Sequence, residues 1–490
     1  MTEPYRLYCP SCRSEQVATA QRCAACGGLL AVGLTRFLRA GDRHPFADVP
    51  GLGAMWRSNP VLPIADPNAI VSLGEGGTPC VPAAHLGSDT GVSVWLKNEA
   101  ANPTGSFKDR QVAVGISRAV DARWACGAGA TSPEVAMRLQ ISRGHEPRAQ
   151  ETQPGLLRRG FRLRGPRSSA SVDEVVVARG AAVPHSRGPA ARAPGRARPG
   201  RLPQLYVVSS GNVAAAAAAY CARAGARLWV IAPASAPAGK LLQVQLCGAR
   251  VVRVQSPSAG RLFELAEQAA AEFGWWPLST AARASPFNIV GARTIAAEIL
   301  EQIPAPDWVI APVGGGGLLG SLWQGLQDAA RLRPGLRMPR LVAVQAAGCA
   351  PFVRAVEQGL SAAEALANPW PEARTIAGGL ADDIPFDAHL ALPAVIESQG
   401  LAVAVTDDEI RAAQRLLAES EGLFIEPSGA VTIAALLRAI SDGRIASGET
   451  VCCLLTGSGL KDPASAGDIP PAPVIAADIE QLREAVKKAA

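Results

Sequence analysis

The chain has 490 residues, of which 48% are hydrophobic and 18% charged, so it can bury a large core, and a globally disordered protein is excluded. No segment approaches the roughly 18 consecutive apolar residues of a membrane helix, and MTEPYRLYCP has neither the basic nor the apolar region of a secretory signal, so we expect a cytoplasmic protein without membrane contact. The net charge of +6 says little about partners, because residues 122–204 alone hold 15 arginines against five acids and the remainder is mildly acidic.

Cysteines dominate residues 1–30. Two C-x2-C pairs, Cys9 with Cys12 and Cys23 with Cys26, are separated by ten residues. A structural zinc ion takes four thiolates in a tetrahedron, and each C-x2-C turn supplies two. We therefore predict a zinc-ribbon-like head over 1–30 in which these four cysteines hold a structural Zn2+. The alternative is a head that keeps the two turns without a metal.

A lysine follows the first predicted strand of the next region. Val94–Lys97 has the composition of a strand, and the residues from Asn102 to Ser106 are typical of a turn, with Ser106 placed to cap a helix that Lys108 opens. The helix N-terminus and Arg110 would lower the pKa of the Lys108 amine, which suits a lysine that forms a Schiff base. Taken alone, the pattern also fits an exposed surface lysine.

Residues 121–204 lack the alternation of strands and helices that the chain shows from residue 205 onward. Between residues 155 and 200 only SVDEVVVA resembles a strand, and the rest is rich in Arg, Ala, Pro and Gly without apolar periodicity. One interpretation is a basic arm that binds nucleic acid or another anionic surface. We favour the other, a low-complexity insertion or an out-of-frame translation of GC-rich DNA, and we do not expect a nucleic-acid partner.

Strands alternate with helices from residue 205 onward. This rhythm predicts an α/β fold with mainly parallel sheets that are covered by helices on both faces and bind ligands at the carboxyl ends of their strands. A polar helical tail follows over 476–490. The predicted strands are Leu205–Val208, Arg227–Ile231, Ala249–Val254, Trp308–Val313, Leu341–Gln345 and Thr450–Leu455.

Three of these strands end in small or polar residues. Ser209–Asn212 follows one strand, and Thr456–Gly459 follows another. A third runs into Gly314, Gly315, Gly316, Gly317 and Leu318, whose backbone N–H groups can surround a phosphate at a helix N-terminus, although a flexible glycine turn would look the same. With Lys108, these turns predict a pocket for a phosphorylated aromatic cofactor.

Seven segments in order resemble the pyridoxal-phosphate enzymes of fold type II, the tryptophan synthase β-like family, and within it the threonine synthases. They span most of the chain outside 121–204. They are the cysteine head, SLGEGGTPCVPA from Ser72, NPTGSFKDR from Asn102, SSGN from Ser209, GGGGL from Gly314, EGLFIEPSGA from Glu421 and TGSGLKD from Thr456.

The resemblance implies a role for each matched residue. Lys108 would carry pyridoxal 5'-phosphate and, once released, move protons on the substrate. Asn212 would bond the ring hydroxyl, Gly314–Leu318 the phosphate, and the Thr456 hydroxyl the ring nitrogen, which suits elimination and replacement chemistry. Candidates for the carboxylate or phosphate of the substrate are Thr78, Asn102, Thr104 and Ser106.

The resemblance also implies the architecture and the reaction. A two-domain catalytic region would span 31–475, with a small domain at about 105–258 that contains the insertion 121–204. It would convert O-phospho-L-homoserine and water into L-threonine and phosphate. The substrate is then a small-molecule amino acid, and the protein could form a homodimer.

Two departures from the resemblance leave alternatives. Many threonine synthases have Asn in the phosphate loop, whereas four glycines are more usual in threonine or serine ammonia-lyases. An ammonia-lyase of that kind is therefore the second hypothesis for the enzyme. Lys108 also lies 101 residues before Ser209, where the family needs a few tens. An inactive relative with a basic nucleic-acid-binding insertion is the third interpretation.

Overall fold

The computed structural model describes residues 5–16, 22–34, 54–58, 62–64, 66–127, 202–236, 238–256, 259–303, 305–467, 469 and 471–489. The predicted strand SVDEVVVA and nearly all of the Arg-rich segment lie outside the described residues. Within the described part, no helix combines the length and the apolar character needed to cross a membrane.

The cysteine head folds as a small antiparallel sheet of three strands, β1 (Tyr5–Tyr8), β2 (Glu15–Gln16) and β3 (Ala31–Leu34), in the order β2-β1-β3. Leu7 on β1 lies opposite Val32 on β3, and both side chains are buried in the same apolar cluster as helix residues of the catalytic region. Nε2 of the buried His389 also lies 3.4 Å from the carbonyl oxygen of Leu30. The head is therefore packed onto the rest of the molecule.

The remaining described chain contains ten further strands and fourteen α-helices, besides six short 3-10 helices. The strands are β4 (Cys80–Pro82), β5 (Ser93–Asn98), β6 (Leu205–Val208), β7 (Leu228–Pro233), β8 (Arg250–Val254), β9 (Trp276–Pro277), β10 (Trp308–Pro312), β11 (Arg340–Ala346), β12 (Leu401–Val405) and β13 (Thr450–Leu455). The helices are α1 (Ala54–Ser58), α2 (Ala84–Thr90), α3 (Lys108–Gly127), α4 (Asn212–Ala224), α5 (Ala238–Leu246), α6 (Ala259–Phe273), α7 (Thr294–Gln302), α8 (Gly317–Leu332), α9 (Pro351–Glu357), α10 (Ala362–Ala367), α11 (Ala388–Glu397), α12 (Asp407–Glu421), α13 (Pro427–Ser441) and α14 (Ile479–Ala489).

The larger sheet has six strands in the order β12-β11-β10-β13-β5-β4. All neighbours are parallel except β4 and β5, so the sheet is mixed only at this edge. In the central strand β10, Val309 and Ala311 enter one apolar cluster, whereas Trp308 and Ile310 enter the cluster on the opposite face. Helices cover both faces, which is why β10 is a continuous apolar run.

The smaller sheet has four parallel strands in the order β8-β7-β6-β9. Its last strand, β9, ends at Pro277, so the sheet extends beyond the predicted limit of about residue 258. The alanine-rich helix α4 covers β6 and β7, with Ala214–Ala218 buried. Strand ends of both sheets therefore meet where β6 and β10 run into the helices α4 and α8.

Candidate active site

A cavity of about 840 Å³ lies at the carboxyl ends of strands from both sheets. This volume falls within the range of small-molecule and cofactor pockets. All eight residues predicted to hold a cofactor line it together, namely Lys108, Asn212, Gly314, Gly315, Gly316, Gly317, Leu318 and Thr456.

Lys108 is the first residue of α3 and projects into this cavity. Its Nζ donates to Oε1 of Gln111 and to Oγ1 of Thr280, both at 3.2 Å, and lies 4.5 Å from the ring centre of Phe107. Thr280 follows the two-residue strand β9, whose shortness gave no sequence pattern, so this contact was not predicted. The amine is thus aimed at the strand ends and held by neutral groups.

Burial lowers the pKa of Lys108 to about 8, while the carboxylates of Asp382, Asp387 and Glu426 act in the opposite direction. The predicted direction is therefore correct, and the main cause is burial, which was not predicted from the sequence. Arg110 is not among the main influences on this amine, and its guanidinium is instead paired with Glu99 and Glu298. Desolvation gives Lys108 a substantial neutral fraction near neutral pH, as a nucleophilic amine requires.

The start of α3 is held differently from the prediction. The Ser106 side chain does not cap the helix, because its buried Oγ has no hydrogen-bond partner among the described residues. The carboxylate of Asp109 instead accepts from the backbone N–H of Thr104 at 2.6 Å and from the Thr104 hydroxyl. The backbone of Phe107 donates to the Thr456 carbonyl at 3.1 Å, which places the Lys108 turn beside the end of β13.

A buried ion network lies beneath this turn. Arg110 pairs with Glu99 at 2.8 Å and with Glu298 at 2.6 Å, and Lys97 pairs with Glu298 at 2.6 Å. Oγ1 of Thr78 donates to Glu99 at 2.6 Å. These pairs join β5, α3 and α7, so they fix the direction in which α3 presents Lys108.

The four residues predicted to contact substrate do not line the cavity with their side chains. Thr78 and Asn102 bond Glu99, with Asn102 Nδ2 at 2.8 Å from its Oε2, and Thr104 bonds Asp109. Ser106 is fully buried beside Gly457. Their observed contacts support the turn that carries Lys108, and direct contact with substrate stays a prediction.

The glycine run between β10 and α8 leaves no room for side chains. A Cβ would lie 2.7 Å from Oδ2 of Asp382 if added to Gly314, and 2.6 Å from Oδ2 of Asp387 if added to Gly317. Gly316 has a φ of +100°, which favours glycine. Backbone N–H groups therefore form this wall of the cavity at the N-terminus of α8, as an anion cradle requires.

Two aspartates that sequence reasoning missed line the same wall. Asp387 accepts from the backbone N–H of Ala282 at 3.0 Å and of Arg283 at 3.2 Å, and Asp382 accepts from that of Gly315. Burial raises the pKa of each carboxyl to about 6. Perturbed carboxyls in a cavity are typical of functional sites, but only long-range packing brings these two to Lys108.

The opposite wall carries Asn212 and Glu426. Nδ2 of Asn212 lies 2.8 Å and 3.0 Å from the two carboxylate oxygens of Glu426, whose pKa is raised by burial. A Cβ on Gly457 would lie 2.3 Å from Oε1 of Glu426, so glycine is required there. The buried Thr456 places its Oγ1 3.4 Å from the carbonyl oxygen of Ser428. Glu426 belongs to the segment EGLFIEPSGA, but the sequence alone does not indicate that it lines the cavity.

The four head cysteines form a cluster of their own. Their sulfur atoms all lie within 4.8 Å of one another, with Sγ of Cys9 3.5 Å from that of Cys26 and Sγ of Cys12 3.5 Å from that of Cys23. Four thiols so close together match the donor set of a tetrahedral zinc site. The predicted grouping of Cys9, Cys12, Cys23 and Cys26 is therefore present.

The cavity also fits pyridoxal phosphate. It combines a buried lysine of lowered pKa, a glycine wall of backbone donors at a helix N-terminus, and a hydroxyl and an amide on the facing strand ends. When bound, this cofactor serves as an electron sink for bonds next to an amino group. Lys108 would hold it, with Gly314–Leu318 around the phosphate and Asn212 and Thr456 around the ring.

Curated relatives align with nearly the whole chain. A threonine synthase from Methanocaldococcus jannaschii is 31% identical over 89% of this chain and 87% of its own length. The threonine synthase from Mycobacterium bovis is 32% identical over 85% and 90%, and that from Methanosarcina acetivorans is 28% identical over 98% of each chain.

Solved structures share the fold. Maize serine racemase superposes with a TM-score of 0.54 at 19% identity, over 84% of this chain and 92% of that one. A threonine deaminase from Solanum lycopersicum gives 0.52 at 18% identity, over 84% and 83%. The family model described as "Pyridoxal-phosphate dependent enzyme" matches residues 71–133 and 187–457, which include Lys108, Asn212, the glycine run and Thr456. The chain therefore belongs to the pyridoxal-phosphate dependent enzyme family.

Proposed function

We propose that the protein is a threonine synthase, which converts O-phospho-L-homoserine and water into L-threonine and phosphate. The observation that carries this proposal is the similarity to threonine synthases over more than four-fifths of both chains. The buried lysine beside a glycine cradle supports it, because the reaction needs the cofactor chemistry described above.

The residues of the chain take these parts in the proposal. The Lys108 amine would hold the cofactor, and as a free amine it would take and return protons at the substrate carbons within its reach. Gln111 and Thr280 orient that amine through their side-chain oxygens. The Asn212 amide and Thr456 hydroxyl would contact the cofactor ring, and a neutral hydroxyl partner would favour an unprotonated ring nitrogen.

An ammonia-lyase acting on threonine or serine is the second candidate. It is favoured by the uninterrupted run Gly314–Gly317, in which no side chain enters the phosphate wall. The two reactions differ in their products, so one experiment separates them. Purified protein with added pyridoxal phosphate should release phosphate and L-threonine from O-phospho-L-homoserine. Ammonia release from L-threonine, without phosphate release from O-phospho-L-homoserine, would contradict the proposal.

We infer further that the head binds a structural Zn2+ through Cys9, Cys12, Cys23 and Cys26. The sulfur cluster supports this, because it offers four thiolates and leaves no coordination position open for chemistry. Metal analysis should find one zinc per chain, and the Cys12→Ser/Cys26→Ser variant should lose it. Cys247→Ser, which alters a cysteine outside the head, is the control. Equal zinc content in all three proteins would refute the assignment.

A further inference from the structure

Three of the six lysines in the chain line the cofactor cavity. They are Lys108, Lys240 and Lys461. No arginine is among the described residues that line this cavity, whereas several carboxylates are. Lys108 is assigned to the cofactor, so among the described residues that line the cavity the side-chain cations left for a further anion are Lys240 and Lys461.

Lys461 stands beside the turn that carries Lys108. It ends a short 3-10 turn after β13, and its Nζ donates to the carbonyl oxygen of Thr104 at 2.7 Å. A Cβ added to Gly105 would lie 3.3 Å from Cδ of Lys461, so the two segments are in contact. An ammonium group has three donors, and this contact uses one of them.

Lys240 reaches the same place from the other sheet. It lies on α5, which covers the smaller sheet, and its Nζ pairs with Oδ2 of Asp462 at 2.7 Å. The two side chains are 31% and 25% exposed. A partly exposed ion pair of this kind contributes about 1 kcal/mol or less to stability, so it is a weak structural link. The Lys240 ammonium can therefore also donate to a ligand.

Asp462 follows Lys461 directly, so the ion pair ties Lys240 to the segment that carries Lys461, and all three residues line the cavity. The positive charges of Lys240 and Lys461 also both lower the pKa of Glu426, which lines the same cavity. Two ammonium groups from different sheets, each with donors to spare, match a phosphate monoester, which carries up to two negative charges and three acceptor oxygens. The glycine wall at Gly314–Gly317 is a separate anion site, already assigned to the cofactor phosphate.

We propose that Lys240 and Lys461 form a second anion subsite, which receives the phosphate monoester of an O-phosphorylated amino-acid substrate. Asp462 holds Lys240 in position for it. This inference rests on the proposed function and deepens it, since the subsite favours a phosphorylated amino acid over threonine or serine.

The test uses protein loaded with cofactor, so that the glycine wall is filled and cannot bind the probe. Inorganic phosphate is titrated while the cofactor absorbance is followed, and its inhibition constant is measured alongside. We compare the wild type with Lys240→Met and Lys461→Met, and with Lys487→Met, which removes an exposed lysine of the tail helix. Lys240→Arg and Lys461→Arg test rescue by the remaining charge.

We expect phosphate to bind at least about tenfold more weakly to both Met variants, with KM for O-phospho-L-homoserine raised more than kcat is lowered. The affinity for L-threonine, which has no phosphate, should change little, and the Arg variants should recover phosphate binding. Wild-type phosphate affinity in both Met variants, with the cofactor band intact, would overturn the subsite. If phosphate binding depends on the lysines but O-phospho-L-homoserine is not turned over, the subsite stands and the proposed reaction falls.

Discussion

Two buried charged clusters lie on opposite sides of the first turn of α3, and they behave differently. In the network of Lys97, Glu99, Arg110 and Glu298, the pairs are 2.6–2.8 Å apart. At the cavity, Lys108 lies near the carboxylates of Asp382, Asp387 and Glu426, with which it forms no ion pair among the described contacts. Residues 108 and 110 therefore place one cation in each kind of environment.

The difference shows in the pKa values. Burial alone would raise the pKa of Glu298, but Arg110 and Lys97 hold it at about 2, so the Glu298 carboxylate stays ionised at neutral pH. At the cavity, burial moves the pKa of Lys108 down to about 8 and those of Asp382 and Asp387 up to about 6. Paired charges thus serve as scaffold, whereas unpaired ones titrate near neutral pH and are available for chemistry.

Lys108→Ala should have the largest effect, because it removes the cavity amine and leaves the network intact. We expect no absorbance band of lysine-bound cofactor and a fall in kcat of at least about a thousandfold. Circular dichroism should stay that of the wild type. Lys487→Ala, in the tail helix, is the matched control and should keep both band and activity.

Arg110→Met should break the scaffold instead. It leaves Glu99 and Glu298 buried without their main partner, which should lower the free energy of unfolding by about 3–5 kcal/mol. Denaturant unfolding measures this change. Arg483→Met removes an exposed arginine paired with Glu480 and should cost about 1 kcal/mol or less. Equal effects of the two variants would mean that the buried network is not a structural element.

Asp382→Asn should raise the free energy of unfolding at neutral pH, whereas Arg110→Met lowers it. The pKa of Asp382 is raised from 3.8 to about 6 in the folded protein, so its contribution to stability is full below about pH 4 and is lost as the pH rises through about 6. The Asn variant should therefore be more stable than the wild type at pH 7.5, by roughly 1–3 kcal/mol, and not at pH 4. Asp408→Asn, at an exposed carboxyl, should show no such pH dependence; a similar profile in both variants would contradict the account.

The smallest effect concerns the pH at which the cofactor attaches. Only the neutral amine reacts, so the rate of band formation should rise about tenfold per pH unit well below pH 8 and level off above it. Asp382→Asn removes a carboxylate that favours the ammonium form, so its midpoint should move to lower pH. Stopped-flow absorbance after addition of pyridoxal phosphate measures both profiles. A midpoint near 10.5 in the wild type would rule out a desolvated amine.

Local signals account for what the sequence could predict. Lys108, the glycine run and the strand-end turns at Asn212 and Thr456 each sit at a boundary that short segments define, and all of them line the cavity. The cysteine quartet follows from spacing alone. These features need no knowledge of which segments pack together.

Features that depend on distant packing were missed. Asp382 and Asp387 follow the strand β11 by more than 30 residues, and nothing nearby indicates that they lie beside Lys108. Thr280 follows a strand of two residues, too short for a periodic pattern. Arg110 was assigned to the lysine because it is two residues away, although helix geometry turns it toward Glu298, 188 residues further along the chain.

The proposed function depends most directly on Lys108 being the lysine that carries the cofactor. Borohydride reduction of the loaded protein fixes a pyridoxyl group on that lysine, and peptide mass mapping then locates it among the six lysines. We predict the label on Lys108, in stoichiometric amount. A label on Lys240, Lys461 or any other lysine, with Lys108 unmodified, would contradict the account.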